Sequence, residues 1–298
     1  MNGLKFSLVF FLAVWVGCHT TSRMELDPES EDFYEKARLI MSSEERKIFS
    51  HLPDKESRQE FIEDFWEKRD PNPDTEENEF KQEFYERIEY ANERFKEGIP
   101  GWKTDRGRIY IHFGFPDRIE QQPMMNHPEI KGYLLWVYYR FNLAVEFIDR
   151  RGDNAYRLNP YSGIYGNLFE AMKRAKFGIA YSNDIGTKYI DFKLSYDRNK
   201  NELDISIPVK GLAFVEQEGR LKAEFEFQFF VYQDKKGAQK KTFRGKRQIE
   251  FTEKELLDME EIHFTYSFDL APGKYFFDVL IIGKPDIGRT RKIFKIKI

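Results

Sequence analysis

The sequence predicts an α+β chain in which an N-terminal helical segment and a small antiparallel sheet are followed by an all-β, immunoglobulin-like sandwich. Three observations carry this expectation. Between residues 32 and 98 apolar side chains recur at steps of three and four, interrupted by prolines; from Arg108 they recur at steps of two; and beyond Asn183 seven alternating runs are separated by turn residues. With 298 residues, including 29 Phe, 16 Tyr and 4 Trp, the chain is long enough for two aromatic-rich domains.

Residues 1–17 have the order of a secretory signal peptide. Lys5 supplies a positive start, Phe6 to Val16 form an apolar run too short to span a bilayer, and Gly17 precedes Cys18. Val14-Trp15-Val16-Gly17-Cys18 resembles a bacterial lipobox, with Trp15 where leucine is usual. The resemblance implies lipid attachment at Cys18 and an exported, membrane-anchored lipoprotein. His19 in place of aspartate favours the outer membrane in a Gram-negative cell. Cys18 is the only cysteine, so an exported chain has no partner thiol for an internal disulfide. The alternative is a soluble periplasmic or secreted protein that loses Cys18 with its signal. Residues 18–31, polar and acidic with Pro28, read as a tether.

Residues 32–183 form the expected first domain. A short helix covers Asp32 to Met41, and Ser42 with Glu45 forms a capping box for the next. Asp54 caps a third helix carrying Phe61, Ile62, Phe65 and Trp66, which Pro71 and Pro73 end. Asp74 with Glu77 is expected to cap the longest helix, whose buried stripe is Phe80, Phe84, Ile88, Ala91 and Phe95; Gly98 and Pro100 stop it. From Arg108 the alternation of Ile109, Ile111 and Phe113 predicts a strand. Gly114, Pro116 and Asp117 then make a turn, a polar loop carries Pro123 and Pro128, and Tyr133 to Tyr139 with Leu143 to Asp149 form a hairpin. A helix from Tyr165 to Lys176 packs on this sheet.

Residues 184–298 form the sandwich, with strands at Tyr189–Ser195, Glu202–Pro208, Leu221–Tyr232, Thr242–Phe251, Ile262–Leu270, Tyr275–Ile282 and Arg289–Ile298. Ala223, Phe225, Phe227, Phe229 and Val231 alternate with Glu224, Glu226 and Gln228, which predicts one buried and one solvated face. Turns fall at Asp234 to Gly237, Ala271 to Gly273 and Lys284 to Asp286. Charge is unevenly divided: residues 23–105 carry 25 acidic and 14 basic side chains, and residues 106–298 carry 26 and 33. Such a split would let the two parts dock. The interleaving of the basic residues with acids favours an ordinary solvated surface instead, and no basic cluster has the form of a nucleic-acid motif.

Gly101-Trp102-Lys103-Thr104-Asp105, then Arg106-Gly107-Arg108-Ile109-Tyr110-Ile111 and Gly114-Phe115-Pro116-Asp117, resemble the GWxTD-domain family. Phe65-Trp66-Glu67-Lys68-Arg69-Asp70-Pro71, Asn78-Glu79-Phe80, Trp136 and Tyr138 match the same pattern, so the resemblance spans Asp32 to Leu158. It implies an exported bacterial protein whose motif domain precedes a β-rich part, and it brings no established activity.

Physically the motif reads as a joint between the long helix and the first strand. Gly101 permits a tight turn, Trp102 buries a large ring, Thr104 and Asp105 bind backbone amides, and Gly107 is expected at positive φ. Arg69, Asp70, Asp105 and Arg106 would form one ion-paired network beside Trp66 and Trp102. The functional alternative makes this cluster a ligand pocket, with arginines clamping an anion between tryptophan walls.

Catalytic templates are weaker. Asp70 and Asp105 could be paired carboxylates of a hydrolase, yet both have arginine neighbours that favour permanent ionisation, the opposite of what an acid catalyst needs. His112 is expected on the outer face of a strand. No HExxH, CxxC, GxSxG, Walker or GxGxxG pattern occurs, and no metal or cofactor is assigned. Glu79, Glu83 and Glu86 read as a solvated helix face. Arg151-Gly152-Asp153 sits where a turn should follow the hairpin, and Lys235, Lys236, Lys240, Lys241, Arg244, Lys246 and Arg247 crowd one hairpin as a lysine-guarded edge. The expected function is that of a non-enzymatic envelope lipoprotein that binds another envelope protein or a glycan. The alternative is a hydrolase of envelope polymers working through the Trp66, Asp70, Trp102 and Asp105 region.

Overall fold

The computed structural model describes residues 26–72, 75–124, 127–159, 190–210, 212–284 and 288–298, together with residues 168, 171, 172 and 175. The signal segment and Cys18 lie outside the described residues, as do Pro73, Asp74 and the expected domain boundary at 183–184. Four helices open the described chain: α1 (Pro28–Ala37), α2 (Ser43–His51), α3 (Lys55–Glu67) and α4 (Glu79–Arg94). α1 starts inside the segment read as tether, because Asp27 accepts a hydrogen bond from the Ser30 amide and Pro28 fits the first turn. The capping box of Ser42 and Glu45 opens α2, and Asp54 caps α3. The cap of α4 is Asn78, which accepts from the Lys81 amide, so the longest helix starts later than Asp74 with Glu77 predicts.

The expected strand from Arg108 is a helix, α5 (Asp105–Phe113). Arg108 is exposed, but Ile109 to Phe113 are all buried, Tyr110 and His112 included, so this stretch has no solvated face and its two-residue alternation does not mark a strand. His112 is therefore not on a strand face: its Nδ1 lies 2.7 Å from the Arg108 carbonyl oxygen and its Nε2 3.0 Å from that of Leu39. The polar loop after it contains a strand, β1 (Arg118–Pro123). With β2 (Gly132–Tyr138), β3 (Leu143–Asp149) and β4 (Arg157–Leu158) it makes an antiparallel sheet in the order β1-β2-β3-β4. Of the helix expected at Tyr165–Lys176, Leu168, Ala171, Met172 and Ala175 are described and helical, and both alanines join the core between the sheet and the helices.

The β-rich part contains β5 (Lys193–Asp197), β6 (Glu202–Pro208), β7 (Val215–Gln217), β8 (Arg220–Gln233), β9 (Lys240–Phe251), a short helix α6 (Glu253–Leu257), β10 (Glu261–Ser267), β11 (Lys274–Lys284) and β12 (Gly288–Lys297). One sheet has the order β10-β6-β5; the other has the order β12-β11-β8-β7, with β9 also pairing β8. Phe225, Phe227 and Phe229 of β8 and Phe277, Val279 and Ile281 of β11 pack against Leu203, Ile205, Ile207 and Phe264 of the opposing sheet, giving a sandwich core.

The second face of β8 is not solvated along its length. Phe230 and Tyr232, with Phe276 of β11, belong to the same apolar cluster as the helices. Tyr232 meets Phe61 at 6.4 Å between ring centroids, and the Lys68 ammonium stands 4.0 Å over the Phe230 ring. Around Phe230, Tyr232 and Phe276 the larger sheet is thus covered on both sides, by its partner sheet on one and by α2 and α3 on the other.

Candidate functional site

The GWxTD segment joins α4 to α5 at close range. Pro100 ends the loop after α4, and Gly101 to Lys103 form one 3-10 turn. A Cβ on Gly101 would lie 1.8 Å from the Ala91 carbonyl oxygen of α4, and one on Gly107 would lie 2.0 Å from the Gly101 carbonyl oxygen. Gly107 is therefore a contact glycine inside α5 and not the positive-φ residue expected from its sequence context. Thr104 is the N-cap of α5: its Oγ1 accepts from the Gly107 amide at 3.0 Å and donates to the Gly101 carbonyl at 2.7 Å. Asp105 starts the helix and accepts from the Leu158 amide at 2.9 Å, which ties β4 to the joint. Trp102 is buried, and its backbone amide donates to the Asn92 side chain.

The arginines and aspartates do not meet in one cluster. Arg106 pairs with Glu97 at 2.7 Å and also donates to the Asn154 carbonyl, and Arg157 reaches the same carboxylate at 2.6 Å. Arg69 instead points into the junction with the sandwich, where its Nη2 sits 2.9 Å from Glu45. Asp70 lies at that junction too, its carbonyl oxygen accepting from Arg289 and its carboxylate from the Asn72 amide. Burial raises the Asp70 carboxyl above its ordinary value. Trp66 packs among Phe33, Phe65, Phe84 and Tyr85 in the helical core. Trp66, Arg69 and Asp70 therefore serve the α3 end of the domain, and Trp102, Thr104, Asp105 and Arg106 serve the α4–α5 joint.

The junction around Arg69 is a charge network that neither the motif nor its resemblance indicated. Arg291 of β12 grips Asp278 of β11 with both Nε and Nη2 at 2.6 Å, and Nη2 also reaches Glu45 of α2 at 2.8 Å. Lys68 reaches Asp278 at 2.9 Å. All five side chains are at most 4% exposed. Burial alone would raise the Asp278 carboxyl, but the Arg291 guanidinium and the Lys68 ammonium outweigh it and hold it well below the usual carboxylate range. Glu45 is lowered in the same way, burial being outweighed by Arg69 and Arg291. Around this centre Lys240 pairs with Asp64 and Glu60 at 2.6 and 2.8 Å, and Lys47 with Asp234 at 2.7 Å. Ion pairs of both senses thus cross between the two parts: Arg291 and Lys240 meet acids of the helices, and Lys68 and Lys47 meet Asp278 and Asp234 of the β-rich part. Asp278 inside the apolar run Tyr275–Ile282 was the available signal.

A second feature opens on the outer side of the joint. A cleft of about 570 Å³ runs between α4, the end of α5 and the turn after β2. Tyr90, Tyr110 and Phe115 form one wall with ring centroids 4.7 to 5.0 Å apart, and Phe113, Tyr138 and Phe141 form another. Glu83, Glu86, Arg87, Asp117 and Arg140 stand around it. Gly114 ends α5 at φ 73°, and its missing side chain leaves room for the Arg87 guanidinium, 2.8 Å from where a Cβ would stand. Burial raises the Tyr110 hydroxyl to about 12.

Elsewhere, Asp149 holds the Arg151-Gly152-Asp153 turn by accepting from the Arg151, Gly152 and Asn154 amides. Of the basic hairpin, Lys240 turns inward to Asp64, while Lys246 and Arg247 stay on the outer strand β9 beside Glu226 and Tyr266.

Fold and site together define an α+β domain, built on a glycine-tight helix joint, that docks on a β-sandwich through buried ions. The GWxTD domain family matches residues 27–173, and the chain is a GWxTD-domain protein. No curated protein matches it.

Proposed function

We propose that this protein is a cell-envelope lipoprotein, exported through residues 1–17, anchored by lipid on Cys18, and acting without catalysis as a binding or structural protein toward another envelope component. One observation carries the reading. The charged and hydroxyl side chains of the motif, Arg69, Thr104, Asp105 and Arg106, are engaged inside the fold, where they brace helix to helix and domain to sandwich. The hydrolase alternative finds no support in this arrangement, because Asp70 and Asp105 attend different elements. Among the described residues no helix is long and apolar enough to cross a membrane.

Fractionation and intact-mass measurement of the mature N-terminus test the anchor. The native chain is expected in the membrane fraction with an acylated terminus, and Cys18→Ser in the soluble fraction. A soluble native chain with an unmodified terminus would remove the anchor. Turnover of an envelope polymer that Asp105→Asn abolishes without unfolding the protein would overturn the non-catalytic role.

A further inference from the structure

We propose that the cleft beside the GWxTD joint is a carbohydrate-binding site that takes a short stretch of uncharged glycan, a proposal that rests on the binding-protein reading and gives it a site and a ligand. Phe115 carries the argument. It is 65% exposed, an unusual position for so apolar a ring, yet it is held by near-perpendicular contacts with Tyr90 and Tyr110 at 4.9 and 5.0 Å. Those two rings stack on each other at 4.7 Å, and Gly114, in a backbone conformation open only to glycine, aims the residue outward. The result is a fixed apolar plate facing water, so a ligand that lies flat on it orders no loop and little side chain on binding.

The groups around the plate select the ligand. Glu83, Glu86 and Asp117 supply carboxylates and Arg87 and Arg140 guanidiniums within one cleft of about 570 Å³, with Glu83 paired to Arg87 and Asp117 accepting from the Tyr139 amide, so charges of both signs are balanced there. A strongly anionic or cationic ligand would meet opposition from one set. Sugar hydroxyls donate and accept from the same atom, so adjacent hydroxyls can donate to a carboxylate and accept from a guanidinium, while the C–H face of the ring covers Phe115. The volume suits two or three sugar units.

The test is calorimetry and saturation-transfer NMR on the full mature chain with chitotetraose, cellotetraose and maltotetraose as probes. Phe115→Ala and Phe115→Trp are the variants, and unchanged melting confirms their folding, since the ring is largely exposed. At least one tetrasaccharide is expected to bind, about tenfold or more weakly to Phe115→Ala, with Phe115→Trp retaining the native affinity within a few-fold. No saturation by any of the three at millimolar concentration, or binding that survives Phe115→Ala, overturns the proposal. A photoreactive residue at position 115 in living cells separates the two levels. If it captures an envelope protein while the saccharides do not bind, the carbohydrate site is wrong and the binding-protein reading stands; if neither occurs, both fall.

Discussion

Replacing Asp278 by asparagine should weaken the junction between helices and sandwich more than any other single change within its charge network. Asp278 accepts at 2.6, 2.6 and 2.9 Å from Arg291 and Lys68. The five buried groups comprise three cations and two anions. Asp278→Asn keeps the shape and leaves three cations facing Glu45 alone. Stranding buried charge in this way costs about 3–5 kcal/mol, a large share of the roughly 5–15 kcal/mol that holds a typical domain folded. Arg291→Met instead leaves Asp278 with Lys68 and Glu45 with Arg69, two balanced pairs, and should cost under about 2 kcal/mol. Urea unfolding followed by tryptophan emission suits the measurement. Trp66, Trp102 and Trp136 all lie in the helical domain and the fourth is Trp15, so emission follows that domain while circular dichroism follows both. With a slope of about 3 kcal/mol per molar, the Asp278→Asn midpoint should fall by about 1–1.7 M. The emission and dichroism transitions should also separate. A change below about 0.5 kcal/mol, or a larger loss for Arg291→Met than for Asp278→Asn, would refute the charge-balance reasoning.

The same network sets an acid limit. Asp278 and Glu45 titrate lower in the fold than their ordinary 3.8 and 4.5, so the unfolded chain takes up protons first as pH falls. Their contribution is full above about 4.5 and is lost progressively below it, which denaturation midpoints between pH 3 and 7 should trace. Gly101→Ala places a methyl group 1.8 Å from the Ala91 oxygen and should cost over about 3 kcal/mol. Gly98→Ala, with open space but φ 76°, should cost about 1 kcal/mol; equal melting temperatures for the two would remove close contact as the reason for Gly101. Thr104→Ala loses both hydroxyl bonds of the α5 cap and should cost about 1–2 kcal/mol, with Thr104→Ser restoring most of it in thermal melts.

Helix caps and strands with one role were legible in the sequence. Ser42 with Glu45, Asp54, and the strands Glu202–Pro208 and Leu143–Asp149 are where their local chemistry puts them. At Arg108–Phe113 the alternation of Ile109, Ile111 and Phe113 competes with the cap at Thr104 and the stop at Gly114, and because every residue from Ile109 to Phe113 is buried the helix shows no narrow apolar stripe. β1 was hidden because its residues are nearly all exposed and no face repeats. In β8 the run Phe229-Phe230-Val231-Tyr232 already breaks the alternation, and such a run marks a strand covered on both faces. Of the motif, Trp102 and Asp105 show their local roles in sequence. The separation of Arg69 from Arg106 does not, because each partner, Glu45 or Glu97, is supplied by the tertiary fold. The cleft is assembled from three elements and has no linear signature.

The reach of Arg291 to Glu45 across 246 positions has a consequence for synthesis. On a ribosome or at a translocation channel, α2 and α3 emerge long before β11 and β12, and Phe230, Tyr232 and Phe276 arrive late to the apolar surface they cover. Until then the first domain carries an uncovered apolar flank with Glu45 and Arg69 at its edge, a surface that holdase chaperones recognise. A chain that stops before β8 would lack Phe230, Tyr232 and Phe276 and would keep that flank uncovered. The junction is therefore completed last, when β11 and β12 bring Asp278 and Arg291 to Lys68 and Glu45.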